Sequence, residues 1–76
     1  MTVTVYTLPN CTQCNMTKSY MKRFNIEFTE IALQEDAAAA KMVMEDLGYK
    51  SAPVVITDDA HWSGFKPELI VSLVND

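Results

Sequence analysis

Hydrophobic and polar residues alternate at the start of the chain, over residues 2–7, where valine and tyrosine are interleaved with threonine. β-Branched and aromatic residues in this arrangement predict a strand, which Pro9 ends. From residue 12 to residue 24 the spacing changes to that of one helix face. The residues on that face are Thr17, Tyr20, Met21 and Phe24.

The middle of the chain repeats this order of strand and helix. Residues 26–33 predict a second strand with Phe28 in the core. A second helix is predicted from Gln34, with acidic residues in its first turn and four consecutive alanines, and Gly48 marks its end. Its buried stripe is expected at Ala40, Val43, Met44 and Leu47.

The last third predicts two short strands, over residues 54–56 and 61–63, and a final helix that begins at Pro67. The order is therefore β-α-β-α-β-β-α. A β-α-β unit pairs its strands in parallel, and the last two strands are close enough for a hairpin. We therefore expect one α/β domain over residues 1–76, with a four-stranded mixed sheet and three helices.

Charge narrows the range of partners. The net charge is -4 and the isoelectric point is about 4.7, whereas binding to nucleic acid or to anionic membranes requires a basic face. No apolar run approaches the roughly 20 residues of a membrane span, and the start of the chain lacks the features of a signal peptide. We expect a cytoplasmic protein, most simply a monomer, with no nucleic-acid or membrane partner.

The candidate reactive residues are Cys11 and Cys14, which lie at the predicted start of the first helix. Unpaired N–H groups and a partial positive charge at a helix N-terminus favour a thiolate, and in C-x-x-C motifs the thiol pKa falls well below its free value of about 8.5. We expect Cys11 to be the exposed nucleophile that attacks a substrate disulfide. Cys14, one turn further, is expected to be more buried and to resolve the mixed disulfide.

Two other interpretations of the cysteine pair remain open. A structural zinc site needs about four ligands, whereas this chain offers two cysteines and His61, so a metal or cluster would have to be shared between two chains. The pair could also be structural, although so short a loop adds little stability. The residues favour redox chemistry with no bound metal or cofactor, and His61 is expected to have no chemical role.

Three segments carry a family resemblance. Pro-Asn-Cys-Thr-Gln-Cys at residues 9–14, Ala-Pro-Val-Val at residues 52–55 and Trp-Ser-Gly-Phe-Lys-Pro-Glu at residues 62–68 resemble the NrdH redoxins, which are glutaredoxin-like proteins. The resemblance covers nearly the whole chain and implies a thioredoxin-like fold. The family usually has Arg where Lys66 stands here.

The resemblance also implies a function and a substrate groove. The function is electron donation to a class Ib ribonucleotide reductase, followed by re-reduction of this protein by thioredoxin reductase. NADPH would supply the electrons only indirectly, through that reductase. Pro53 would be cis and face the cysteines, leaving the backbone of Ala52 free to pair with an extended substrate. The implied substrate-binding residues are Pro9, Gln13, Ala52, Pro53, Trp62, Ser63, Gly64, Phe65 and Lys66.

The sequence alone does not decide whether Trp62 and Phe65 lie on the surface or in the core. Trp62 could belong to a docking surface beside Cys11 or could close the core beneath the last hairpin, and Phe65 is expected in an exposed loop.

A glutathione-dependent glutaredoxin is the alternative within this superfamily. Ordinary glutaredoxins carry Lys at the position of Leu8 and an acidic residue near the position of Lys66, and these charges hold glutathione. With one charge missing and the other reversed, we expect weak glutathione binding.

Overall fold

The computed structural model describes residues 2–74 and confirms the predicted order of strands and helices. A short 3-10 turn, Leu33–Glu35, precedes the second helix, and a π-helical turn, Met42–Asp46, continues it. The elements are β1 (Thr4–Thr7), α1 (Thr12–Arg23), β2 (Thr29–Ala32), α2 (Ala37–Lys41), β3 (Val54–Ile56), β4 (His61–Ser63) and α3 (Pro67–Ser72).

The sheet is mixed, with the order β2-β1-β3-β4. Strand β1 runs parallel to β2 and antiparallel to β3, and β3 and β4 form an antiparallel hairpin. Neighbouring residues of the central strand β1 point to opposite faces of the sheet. Val5 packs with Met21 of α1 and Ile70 of α3, whereas Tyr6 packs with Val43 beside α2. The helices therefore lie on both faces of the sheet.

The predicted helix face of α1 is confirmed, but the second strand is shorter than predicted. Thr17 and Met21 are fully buried. Asn25 has a left-handed φ of 58°, and the N–H of Ile26 donates to the Met21 carbonyl at 2.8 Å. Residue 26 therefore closes the helix and does not begin a strand. Pairing with the neighbouring strand begins at Thr29, and Phe28 is only half-buried.

The predicted stripe of the second helix is wrong at Met44, which is 61% exposed. Asp36 caps the helix by accepting a hydrogen bond from the Ala39 N–H at 2.9 Å. Beyond Lys41 the N–H of Leu47 donates to the Met42 carbonyl, five residues back. Ala39 and Val43, four residues apart, form the buried side, and Met44 lies about 100° further round the helix from Val43.

The final elements agree with the predictions. Pro67 begins α3, and Ile70 at its centre is fully buried. Gly48 has a φ of 76°, the left-handed conformation expected after the second helix. Among residues 2–74, no helix has the combined length and apolar character that a membrane crossing requires.

Candidate active site

The two cysteines lie where the central strand of the sheet leads into α1. After Thr7 the chain passes through a short loop in which Asn10 adopts a left-handed φ of 56°. Cys11 then occupies the N-cap of α1, and its Sγ accepts a hydrogen bond from the Cys14 N–H at 3.1 Å. The two residues form a disulfide, with their Cα atoms 5.2 Å apart.

The exposure of the two sulfur-bearing residues differs as predicted. Cys11 is half-buried at the tip of the helix, whereas Cys14 is 1% exposed. The N–H groups of the first turn and the helix dipole stabilise an anionic sulfur at this position. The arrangement therefore leaves Cys11 partly accessible to solvent and encloses Cys14.

Ala52 and Pro53 lie at the same end of the two central strands as the cysteine loop. Tyr6 pairs with Val54 in the antiparallel ladder, which places the residue before Val54 opposite Thr7. The Ala52–Pro53 peptide bond is cis, and the Pro53 carbonyl accepts a hydrogen bond from the Gly64 N–H at 2.8 Å. Within residues 2–74, no hydrogen bond engages the backbone of Ala52.

The C-terminal stretch at residues 62–68 is joined directly to α1. The side-chain oxygen of Gln13 accepts a hydrogen bond from the Phe65 N–H at 3.0 Å. Gly64 has a φ of 89°, and a Cβ there would lie 3.4 Å from the same oxygen. Phe65 is half-buried, not an exposed loop side chain, because its ring packs edge-on against Tyr20 at a centroid distance of 5.5 Å.

Trp62 belongs to the core and not to the surface beside Cys11. It is 5% exposed and packs in the cluster that contains Val5, Met21 and Ile70. Its Nε1 is buried without a hydrogen-bond partner among the described residues. The interpretation of Trp62 as a docking side chain is therefore wrong, because the ring fills the space between the sheet and the helices.

The other predicted substrate-binding residues lie nearer the surface. Pro9 and Lys66 are exposed, the first in the loop before Cys11 and the second just before α3. Ser63 is half-buried, and its hydroxyl donates to the Ser51 carbonyl at 3.0 Å.

An apolar groove of about 410 Å³ borders the cysteine loop on the side of the second helix. Its lining includes Leu8 and Pro9 from the loop, Met44 from the π-helical turn and Tyr49. Leu8 is 43% exposed. This groove was not predicted from the sequence, because Met44 was expected in the core. The available signal was Leu8, a large apolar residue in a loop next to a reactive cysteine.

A charged cluster on the other side of the loop was also missed. The Glu30 carboxylate accepts hydrogen bonds from Lys18 at 3.0 Å and from the buried Thr7 hydroxyl at 2.9 Å. The hydrogen bond from Lys18, and then that from Thr7, lowers the pKa of Glu30 from its usual value. These side chains line a hollow of about 280 Å³ that also contacts Cys11.

A metal centre finds no support in this geometry. In the part of the chain that the structure describes, no group of three or more His, Cys, Asp and Glu side chains could hold a metal ion.

Comparisons with known proteins agree with the geometry. The glutaredoxin family model matches residues 3–62. The glutaredoxin-like protein NrdH of Lactococcus lactis subsp. cremoris is 39% identical over 71 residues, which cover 93% of this chain and 97% of that protein.

Solved structures show the same fold. The NrdH-redoxin structure from Escherichia coli is similar with a TM-score of 0.90 and 37% identity, covering 96% of this chain and 95% of that one. A glutaredoxin from Archaeoglobus fulgidus is similar with a TM-score of 0.77 and 29% identity, covering 97% and 86%.

Proposed function

Because this chain belongs to the glutaredoxin family, among its NrdH-type members, we propose that it carries electrons from thioredoxin reductase to a class Ib ribonucleotide reductase in the cytoplasm. NrdH and glutaredoxin proteins are thiol–disulfide oxidoreductases. The observation that carries the proposal is the cysteine pair at the N-terminus of α1, with Cys11 half-buried and Cys14 fully buried.

The reaction is a two-step exchange between sulfur atoms. The Cys11 thiolate attacks one sulfur of the substrate disulfide, and the second substrate sulfur leaves as a thiolate that takes up a proton. The Cys14 thiolate then attacks Cys11, forms the intramolecular disulfide and releases the first substrate sulfur. Two electrons and two protons pass from the dithiol to the substrate, and the reductase returns them from NADPH.

The unpaired backbone before β3, beside the cysteines, supports binding of an extended polypeptide. The backbone N–H and C=O of Ala52 are unpaired by the described residues, so they can pair with a substrate segment as an added strand. Pro9, which is exposed, would flank that segment, whereas the ring of Pro53 is fully buried. Gln13 holds the backbone of Phe65 in place, so Ser63, Gly64, Phe65 and Lys66 would form the opposite rim of the site.

Side chains near the site also support thioredoxin reductase over glutathione as the source of electrons. Leu8 places an apolar side chain in the groove wall where a glutathione-binding cation is expected in ordinary glutaredoxins. Lys66 is exposed where an acidic residue would hold the glutathione amino group.

The proposal is tested by NADPH oxidation with the disulfide form of the protein and the oxidised ribonucleotide reductase. Recycling is supplied either by thioredoxin reductase or by glutathione with its own reductase. We expect turnover with thioredoxin reductase and little with glutathione. Turnover with glutathione alone would establish a glutathione-dependent glutaredoxin instead. Cys11→Ser should abolish turnover in both, and activity that survived this change would contradict the assigned mechanism.

A further inference from the structure

The segment before Pro53 is held in place by side chains. Strand β3 begins only at Val54, yet two residues of β4 reach back to the segment at residues 49–51. The Tyr49 hydroxyl and His61 Nδ1 lie 2.7 Å apart, and the two rings meet edge-to-face with centroids 5.6 Å apart.

A second link follows two residues further along both segments. The Ser63 hydroxyl donates to the Ser51 carbonyl at 3.0 Å. Residues two apart on a strand point to the same face, so His61 and Ser63 form one row of side chains along β4. This row anchors the segment that leads into the Ala52–Pro53 bond.

Tyr49 itself belongs to the wall of the apolar groove. It lines the groove with Leu8 and Pro9, next to the cysteine loop. It also packs against the core cluster that contains Val43, and its N–H donates to the Val43 carbonyl at 3.0 Å. Its hydroxyl is fixed by His61 alone among the described residues.

We propose that His61 is a positioning residue for polypeptide substrates. It holds Tyr49 in the wall of the groove, and the segment leading to Pro53, in the positions that an extended disulfide-bearing chain contacts. The proposal rests on the disulfide reductase function proposed above and adds a residue that positions the site for its polypeptide substrate. Small disulfides react at Cys11 without occupying the groove. His61 therefore affects only the reduction of substrates that fill it.

The neutral imidazole accepts the hydroxyl proton of Tyr49 on Nδ1 when its own proton is on Nε2. Two substitutions of similar shape differ in whether they can keep this hydrogen bond. In His61→Asn the side-chain oxygen lies two bonds from Cβ, as Nδ1 does, and can accept the same hydrogen bond. His61→Leu has nearly the shape of His61→Asn but no acceptor.

The test is single-turnover reduction of insulin and of the small aromatic disulfide DTNB by the prereduced protein. Insulin provides a polypeptide disulfide, and DTNB reports the reactivity of Cys11 alone. We expect His61→Leu to lower the rate constant for insulin about threefold to tenfold, the usual effect of one lost hydrogen bond. His61→Asn should restore most of that rate, and DTNB reduction should be unchanged in both variants.

Three outcomes would overturn the positioning role. One is insulin reduction by His61→Leu at the wild-type rate, and another is equal slowing of insulin and DTNB. The third is equal loss in His61→Leu and His61→Asn, since only one of them lacks an acceptor. Failure of the wild-type protein to reduce either disulfide would instead overturn the proposed function, so the two failures are distinguishable.

Discussion

Replacing each of the two glycines by alanine separates backbone conformation from side-chain contact. Gly48 and Gly64 both adopt left-handed backbone conformations, with φ of 76° and 89°. A left-handed conformation costs an L-residue about 1–2 kcal/mol. Alanine also restricts the unfolded chain, which offsets about 0.4–1 kcal/mol of that cost. The net expectation is a loss of about 1 kcal/mol in the free energy of unfolding for either variant.

The surroundings of the two positions do not change this expectation. A Cβ at Gly48 would meet no atom within 4 Å, and a Cβ at Gly64 would meet the Gln13 side-chain oxygen at 3.4 Å. The latter is an ordinary van der Waals distance. We therefore expect Gly48→Ala and Gly64→Ala to lower the melting temperature by similar amounts, about 4–8 °C in a domain of this size.

Urea denaturation, followed by far-ultraviolet circular dichroism, gives the two free energies of unfolding. A Gly64→Ala variant that is destabilised by about 2 kcal/mol more than Gly48→Ala would refute the reasoning, because backbone conformation would then not dominate. Such a result would show that Gln13 cannot accommodate a methyl group at residue 64 while it accepts the hydrogen bond from Phe65. Gly48→Ala serves as the matched control, since it carries the backbone cost alone.

Three other predictions follow from single contacts. Asp36→Ala removes the N-cap of α2 and should lower the free energy of unfolding by about 1 kcal/mol in urea titrations. Because the pKa of Glu30 is lowered in the folded protein, its carboxylate stabilises the fold at pH values above the usual pKa of 4.5. This contribution to the free energy of unfolding is lost as the pH falls through the lowered pKa. Glu30→Gln, which weakens the partly exposed pair with Lys18, should therefore be destabilised by about 0.5 kcal/mol at pH 7 and converge with wild type in acid unfolding curves. Cys14→Ser should accumulate a mixed disulfide with insulin, visible by mass spectrometry, and rapid release of the partner would contradict the resolving role.

Local patterns predicted the strands and α1 because their buried positions repeat at the period of the element. The pattern failed at the end of one helix and at the margin of the buried face of another. At Ile26 an apolar residue closes a helix by bonding to Met21, and local sequence does not distinguish this from a strand start. Met44 was misplaced because it lies about 100° from Val43 round the helix, at the margin of the face, where periodicity does not decide between a buried and an exposed side chain.

In the candidate site, too, features that depend on local sequence were predictable and contacts between distant residues were not. Cys11 and Cys14 were predictable because their chemistry depends on local spacing at a helix start. The hydrogen bond between Gln13 and Phe65 joins residues 52 positions apart, and the contact between Tyr49 and His61 joins residues 12 positions apart. Such contacts depend on how β4 and the loops pack, which no local pattern records.

The central position of β1 has a consequence for biosynthesis. It is made before the other three strands of the sheet, yet one of its two sides forms hydrogen bonds with β3. Until Val54–Ile56 has left the ribosome, that edge stays open, and open edges of apolar strands invite pairing with other chains. The loop that carries Cys11 therefore matures late, and a ribosome-bound nascent chain holds its cysteines before the sheet that positions them is complete.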